Sequence, residues 1–424
     1  MTTHQRRLEA LQARGRLPGV VAGVLTDGEL AWTGAAGEGD LARQYRIGSI
    51  TKTMTAVAVL QLRDEGRLDL DDPIGRFVPE TAYAGATVRA LLSHTSGMQS
   101  EPAGPWWERS PGVDFDALVA ANDGSGAVAG PGELYHYSNL GYALLGEAVA
   151  RLRGAPWWRV LVERVLGPIG MERTTYAPEE PFAQGWSVDH FAGTLTREPH
   201  QDTGAMAPAG QVWSTIADLA RWARFLADGD PGVLSRATLR EMSVPHPRGE
   251  DYGLGLQVLR QGGRRLVGHG GTMPGFRAGV FVDPERRDGV VALCNATTGL
   301  DYEALPGVFL GRRGGARAVA AWVPSERVPE EVAPVLGLWF WGNTAIELRW
   351  QNELLELREL TSPRVTDAFG LRAGRLVGVS GYLRGETLHV VRRDDGSVGH
   401  LECATFIYTR KPYDPEAPIP GGCP

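Results

Sequence analysis

Apolar residues recur along the first part of the chain in patterns that predict a β-hairpin and then a helix. Two apolar runs, residues 20–25 and 30–32, flank the pair Asp27-Gly28, which is typical of a tight turn between paired strands. From residue 49 to about 65 the spacing is helical, and Gly66 suits the end of a helix. Ser49 would then lie at a helix N-terminus, where backbone N–H groups are free to bind an anionic oxygen.

Helical patterns fill the middle of the chain, and strand patterns return near residue 250. Helices are predicted over residues 140–153 and 156–166. Short apolar runs bounded by turn residues then predict strands at 253–258, 265–268, 279–282 and 290–294. Strands at both ends and helices between them predict an α/β (α+β) fold, in which an antiparallel sheet is flanked by helices and carries an inserted helical subdomain.

The pattern changes again beyond residue 334. Ile346, Leu348 and Trp350 alternate with charged residues, which is the period of a half-buried strand. We therefore expect a small all-β, barrel-like domain over 334–424, after a linker at 311–333. The catalytic domain would be 1–310, with its α/β part at about 1–80 and 204–310 and the helical insertion at about 81–203.

The composition of the chain argues against several classes of protein. The 424 residues are 43% hydrophobic and 22% charged, with a net charge of −7, as in an ordinary globular protein. The sequence has no basic patch that would indicate binding to nucleic acid. It also has no apolar run of about 18 residues that would span a membrane and no secretory signal, so we expect a cytoplasmic protein. Three scattered cysteines, Cys294, Cys403 and Cys423, and widely spaced histidines indicate neither a disulfide framework nor a metal site. No cofactor is implied.

Lysine usage points to one position. The chain has 41 arginines and two lysines, and one of these is Lys52 in Ser49-Ile50-Thr51-Lys52. Arginine cannot take a proton from a nucleophile, whereas a lysine with a lowered pKa can. Ser-x-x-Lys is the spacing of a serine nucleophile and an amine base one helical turn apart. The alternative is a surface lysine on a helix.

Two further sequence motifs accompany Ser49 and Lys52 later in the chain. Tyr135-His136-Tyr137-Ser138-Asn139 follows downstream, and His269-Gly270-Gly271-Thr272 comes after the helical middle. With Ser49-x-x-Lys52, they resemble the three signature elements of the serine β-lactamase and penicillin-binding-protein superfamily, in the same order. The branch with Tyr-x-Asn is the most similar. It includes class C β-lactamases, DD-peptidases, D-aminopeptidases and esterases.

The resemblance implies a role for each matching residue. Ser49 would be acylated, with either neutral Lys52 or the Tyr137 phenolate as its base. Asn139 would hydrogen-bond Lys52 and a substrate amide. The N–H groups of Ser49 and Thr272 would form an oxyanion hole, and Gly271 would let the strand approach the substrate.

His269 departs from the family pattern. β-Lactamases of this type carry a lysine in the equivalent position, and imidazole is a weaker, pH-dependent cation. A substrate carboxylate would lose a fixed charge here, which favours an esterase, amidase or aminopeptidase over antibiotic hydrolysis. Trp106, Trp107 and a long loop over residues 178–211 are candidates for the walls of the site.

The leading prediction is a serine hydrolase that forms an acyl-enzyme with a small-molecule or peptide acyl donor. A second hypothesis is acyl transfer to an amine, including peptide cyclisation, because some superfamily members with a C-terminal β-barrel act in that way. A third is a non-catalytic binding protein of the same fold. The sequence does not indicate the oligomeric state.

Overall fold

The computed structural model describes residues 2–248, 251–311, 319–362 and 364–421. They form two compact units. The first comprises Met1–Ser187 and Arg197–Ala321, and the second comprises Val188–Thr196 and Trp322–Pro424. Residues 312–318 of the predicted linker and Cys423 lie outside the described residues. The domain boundaries inferred from the sequence stay predictions.

The main sheet of the first unit is built from both ends of that unit. Its strands are ordered β2-β1-β10-β9-β8-β7, and all neighbours are antiparallel. The first strand therefore pairs with the last, which confirms the predicted sheet. Ten described strands precede the barrel: β1 (Gly19–Thr26), β2 (Glu29–Gly37), β3 (Tyr45–Arg46), β4 (Trp186–Val188), β5 (Leu195–Arg197), β6 (Trp213–Ser214), β7 (Gln257–Gln261), β8 (Arg264–Met273), β9 (Phe276–Val282) and β10 (Gly289–Cys294).

Turn residues set the limits of two of these strands. Asp27 and Gly28, with φ of 50° and 78°, form the tight turn predicted between β1 and β2. The strand predicted over 253–258 is wrong in its first half, because β7 begins only at Gln257. Gly253 N–H instead donates to the Leu256 carbonyl over 2.8 Å, closing a turn in which Gly255 has a φ of 80°.

Helices pack on the sheet and form the inserted subdomain. α2 is buried continuously from Ile50 to Leu62 and packs against α5, α7 and β8, so it is the central helix of the unit. The helices are α1 (Thr3–Gly15), α2 (Ile50–Asp64), α3 (Val88–Leu92), α4 (Phe115–Ala121), α5 (Asn139–Arg153), α6 (Trp157–Leu161), α7 (Ala207–Gly210), α8 (Ile216–Asp228), α9 (Arg236–Met242) and α10 (Leu305–Phe309). None of the described helices is both long and apolar enough to cross a membrane.

The second unit contains a closed eight-stranded barrel, which confirms the predicted small all-β domain. Inward-facing residues such as Trp339, Leu355, Phe369 and Leu401 alternate with outward-facing ones and fill its core. The strands run in chain order around the barrel: β11 (Gly337–Trp341), β12 (Thr344–Gln351), β13 (Leu354–Glu359), β14 (Val365–Arg372), β15 (Arg375–Ser380), β16 (Thr387–Arg392), β17 (Val398–Cys403) and β18 (Phe406–Thr409).

Candidate active site

Ser49 and Lys52 lie one turn apart at the start of α2 and are hydrogen-bonded to each other. Ser49 occupies the N-cap position and is partly exposed, whereas Lys52 is fully buried. Lys52 Nζ donates to Ser49 Oγ over 3.0 Å and to the carbonyl oxygen of Ala209 over 2.7 Å. The amine is therefore held against the serine hydroxyl, as a base must be held against its nucleophile.

The environment of Lys52 favours its neutral form. Burial lowers its pKa to about 7, because an apolar interior disfavours the ammonium, while the carboxylates of Glu101 and Glu108 oppose that change. An ordinary lysine is almost fully protonated at neutral pH. Here, a substantial fraction of the side chain is a neutral amine near pH 7 and able to accept a proton.

Tyr137 completes the group around the serine. Its hydroxyl lies near Ser49, which acts to lower its pKa, and its ring centroid lies 5.0 Å from Lys52 Nζ. The His94 ring supports it at a centroid distance of 4.1 Å. Burial raises the pKa of Tyr137 well above its ordinary value of 10. Of the two groups that could act as the base, Lys52 therefore loses its proton far more readily.

Glycines allow β8 to pass very close to the start of α2. A Cβ at Gly271 would stand 1.9 Å from the Ile47 carbonyl oxygen and 3.2 Å from the Ser49 nitrogen. A Cβ at Gly48 would stand 2.7 Å from the Thr272 nitrogen, and Gly48 also has a φ of 53°. Neither position tolerates a side chain. This close approach brings the backbone amide of Thr272 next to that of Ser49.

His269 lies on β8 and is 2% exposed. Its Nε2 is 3.0 Å from the Tyr252 hydroxyl, and its Nδ1 contacts the carbonyl oxygen of Gly270. Burial lowers the pKa of His269 to about 3; the contact with Gly270 opposes this change and the charge of Lys52 adds to it. The imidazole is therefore neutral at physiological pH, and His269 supplies no positive charge for a substrate carboxylate.

Asn139 differs from its predicted arrangement. We expected it to hydrogen-bond Lys52, but its Nδ2 donates to Glu101 Oε1 over 2.7 Å. Among the described residues, Lys52 instead bonds only Ser49 and Ala209. The physical reason is that Lys52 Nζ already donates to Ser49 and to the Ala209 carbonyl, while the Asn139 amide N–H finds a strong carboxylate acceptor in Glu101.

Two carboxylates near Lys52 form a feature that the sequence interpretation missed. Glu101 is exposed, and its Oε2 accepts from Trp107 Nε1 over 2.6 Å. Glu108 accepts from Trp106 Nε1 over 2.8 Å, and burial, with the nearby Glu101 adding to the effect, raises its pKa. Both carboxylates favour the ammonium form of Lys52 and so raise its pKa, against the larger effect of burial. The sequence did contain a signal for these carboxylates, because Glu101 precedes and Glu108 follows the predicted wall pair Trp106-Trp107.

The second predicted wall, over residues 178–211, is not one long loop. It contains the β4–β5 hairpin, the tip of which belongs to the second compact unit, and α7, which carries Ala209. The carbonyl of Ala209 binds Lys52. A backbone acceptor has no residue-type signature, so the sequence offered no way to find it.

A serine at a helix N-terminus, with a buried amine and a phenol within hydrogen-bonding reach, defines the class of serine acyl-transfer enzymes. Residues 4–309 match the family model described as Beta-lactamase, so the chain belongs to the β-lactamase family. It is a serine hydrolase of that superfamily, and the resemblance seen in the sequence is confirmed. Residues 328–410 match a second model, a domain of unknown function (DUF7586).

Individual relatives cover most of the chain. Penicillin-binding protein 4 of Amycolatopsis lactamdurans is 29% identical over 374 residues, which are 78% of this chain and 96% of that protein. A D-stereospecific amidohydrolase from Streptomyces sp. is 31% identical with a TM-score of 0.62, over 73% of this chain and 99% of that chain. The structure of SurE with D-Leu is 25% identical with a TM-score of 0.59, over 96% of this chain and 98% of that chain.

Proposed function

We propose that the protein hydrolyses amides or esters of D-amino acids that carry a free α-ammonium group, through an acyl-enzyme on Ser49. The observation that carries this proposal is the charge of the site. Glu101 and Glu108 place carboxylates near Lys52, whereas His269 is neutral. An acyl donor with a cationic end is therefore favoured over one with a carboxylate, such as a β-lactam.

The chemical step uses the three side chains in separate roles. Ser49 Oγ attacks the acyl carbon while its proton passes to the neutral amine of Lys52. The bond to the leaving amine or alcohol then breaks, and Tyr137, which its high pKa keeps protonated, supplies that group with a proton. The proton held by Lys52 then replaces the one that Tyr137 gave up, since the two groups are neighbours, and both regain their starting states. Water repeats the sequence on the acyl-enzyme and releases the acid.

Backbone amides stabilise the negative charge of the tetrahedral intermediate in this scheme. The N–H groups of Ser49 and Thr272 donate to the oxyanion, and the N-terminus of α2 adds its positive dipole. The glycines at 48 and 271 are required because a side chain at either position would separate β8 from the helix. Loss of one such donor costs about 10²–10³-fold in rate in serine hydrolases.

The recognition of the substrate rests on Glu101. Its two oxygens are oriented by Asn139 Nδ2 and Trp107 Nε1, and the residue remains exposed. Each carboxylate oxygen retains a further lone pair, with which Glu101 can accept from a substrate ammonium. The amidohydrolase from Streptomyces is D-stereospecific, and SurE is seen with D-Leu, so both relatives support a D-amino-acid acyl group.

The first test is Glu101→Gln. With D-phenylalanine amide we expect kcat/KM to fall about tenfold or more, because a charge-assisted hydrogen bond to the substrate ammonium is lost. With N-acetyl-D-phenylalanine amide, which has no ammonium, we expect little change. Steady-state kinetics on both substrates measure the difference, and Glu172→Gln, at an exposed glutamate, is the matched control. An equal fall on both substrates would contradict the proposed recognition.

The pH dependence of acylation forms a second test. Because Lys52 must be neutral to act as the base and its pKa is about 7, we expect the rate with p-nitrophenyl acetate to rise with pH through about 7 and then level off. Glu101→Gln should move this midpoint to lower pH, since it removes a negative charge that raises the pKa of Lys52. A midpoint near the ordinary lysine value of about 10.4 would exclude this base.

A further inference from the structure

A cavity of about 230 Å³ lies at one end of the C-terminal barrel, remote in sequence from the catalytic motifs. Residues from β11 to β14, from β18 and from the connection between β15 and β16 line it. Its floor is apolar and buried, and consists of Ile346, Leu357, Leu383 and the ring of Tyr408. Eight-stranded barrels are wide enough to hold one small ligand in such a position.

A nearly buried carboxylate faces this cavity. Asp367 is 7% exposed, and its Oδ1 accepts from the Leu383 N–H over 2.7 Å. Glu359, partly buried, is the second carboxylate of the lining. The ion pairs of the described barrel residues use other carboxylates, and neither Asp367 nor Glu359 takes part in one. Burying a carboxylate without a cation is unfavourable, so the pair suggests a positively charged ligand.

Aromatic side chains form the rim. The rings of Trp341 and Phe406 meet edge to face at a centroid distance of 5.2 Å, and Tyr382 lies 6.1 Å from Phe406. Trp341 is 49% exposed and Tyr382 is 83% exposed, although large aromatic residues are usually buried. The faces of such rings attract cations, and the attraction is strongest when the cation is also desolvated.

We infer that this end of the barrel binds a small organic ammonium ion that bears an apolar group. The carboxylates and aromatic faces would hold the charged nitrogen, and the apolar floor would take the attached alkyl or aryl group. A hard metal cation fits less well, because it requires about six oxygen ligands, and no group of three or more metal-binding side chains occurs in the described chain. The inference is independent of the proposed reaction at Ser49.

Calorimetric titration of the full-length protein provides the test. Phenethylammonium should bind about tenfold or more tightly than 2-phenylethanol, which has a similar shape but no charge. Asp367→Asn keeps the Oδ1 acceptor for Leu383 and removes the charge, so it should weaken ammonium binding about tenfold. Asp394→Asn, at an exposed turn position, is the matched control and should leave binding unchanged.

Two further variants separate this site from the catalytic one. Trp341→Leu keeps an apolar side chain but removes the π face, so it should weaken binding of the ammonium more than that of the alcohol. Glu101→Gln should leave the Asp367-dependent binding intact. The inference is overturned if the ammonium does not bind, if the alcohol binds equally well, or if correctly folded Asp367→Asn binds as the wild type does. Binding lost in Glu101→Gln alone would also overturn it.

Discussion

Ser49→Ala is expected to lower the turnover of amide and ester substrates by roughly 10⁴-fold or more, because no other group can form the acyl-enzyme. The fold should not change, since Ser49 is partly exposed and its side chain makes no capping hydrogen bond to α2. Intact-protein mass spectrometry after incubation with p-nitrophenyl esters and D-aminoacyl amides should show an acyl adduct on the wild type and none on the variant.

A matched control makes this result specific. Ser380→Ala changes an exposed serine on β15 and should retain both the adduct and the turnover. Equal rates for Ser49→Ala and the wild type would contradict the acyl-enzyme mechanism. An amine added as acceptor then separates the two catalytic hypotheses. A product acid indicates hydrolysis, and a product amide indicates the acyl transfer that the sequence left open.

Lys52→Arg is expected to lose activity to a similar extent, although the positive charge is retained. A guanidinium stays protonated at any useful pH and cannot accept the proton of Ser49. Lys52→Met tests the same point with a side chain of similar length and no charge. Rates of acyl-adduct formation measure the effect, with circular dichroism to verify folding, because both changes are made at a fully buried position.

The other lysine of the chain is a natural control. Lys411 is exposed, and Lys411→Arg should be fully active. If Lys52→Arg, correctly folded, still forms the acyl-enzyme at the wild-type rate, the role of base passes to Tyr137. The high pKa of Tyr137 argues against that outcome, because a base must start as the phenolate and burial keeps the free enzyme's Tyr137 protonated.

Local patterns in the sequence were enough to predict much of the fold. The Asp27-Gly28 turn, the helix after Ser49 and the alternation around Ile346 each follow from the preferences of a few neighbouring residues. The strand predicted over 253–258 was wrong at its start, because residues 253–256 form a turn although their pattern also fits a strand. Apolar residues are compatible with a buried turn as well as with a strand, and only long-range packing distinguishes the two.

Prediction of the site was less complete. Ser49 and Lys52 are neighbours on one helix, so their spacing alone indicated their contact. Tyr137 was found only through the family resemblance. The partner of Asn139 was predicted wrongly, and Glu101 was missed, because both depend on how the segment near residue 100 packs against the start of α5.

The sequence by itself determined the order of the main helical and strand regions, the spacing of serine and lysine, and the use of a lysine, which can lose its proton, in a chain that otherwise uses arginine. The protonation states came from the tertiary structure. Lys52 has a pKa of about 7 and His269 of about 3 because each is buried by elements distant in sequence. A pKa depends on desolvation and on nearby charges, and both are set by chain segments that meet only in the folded protein.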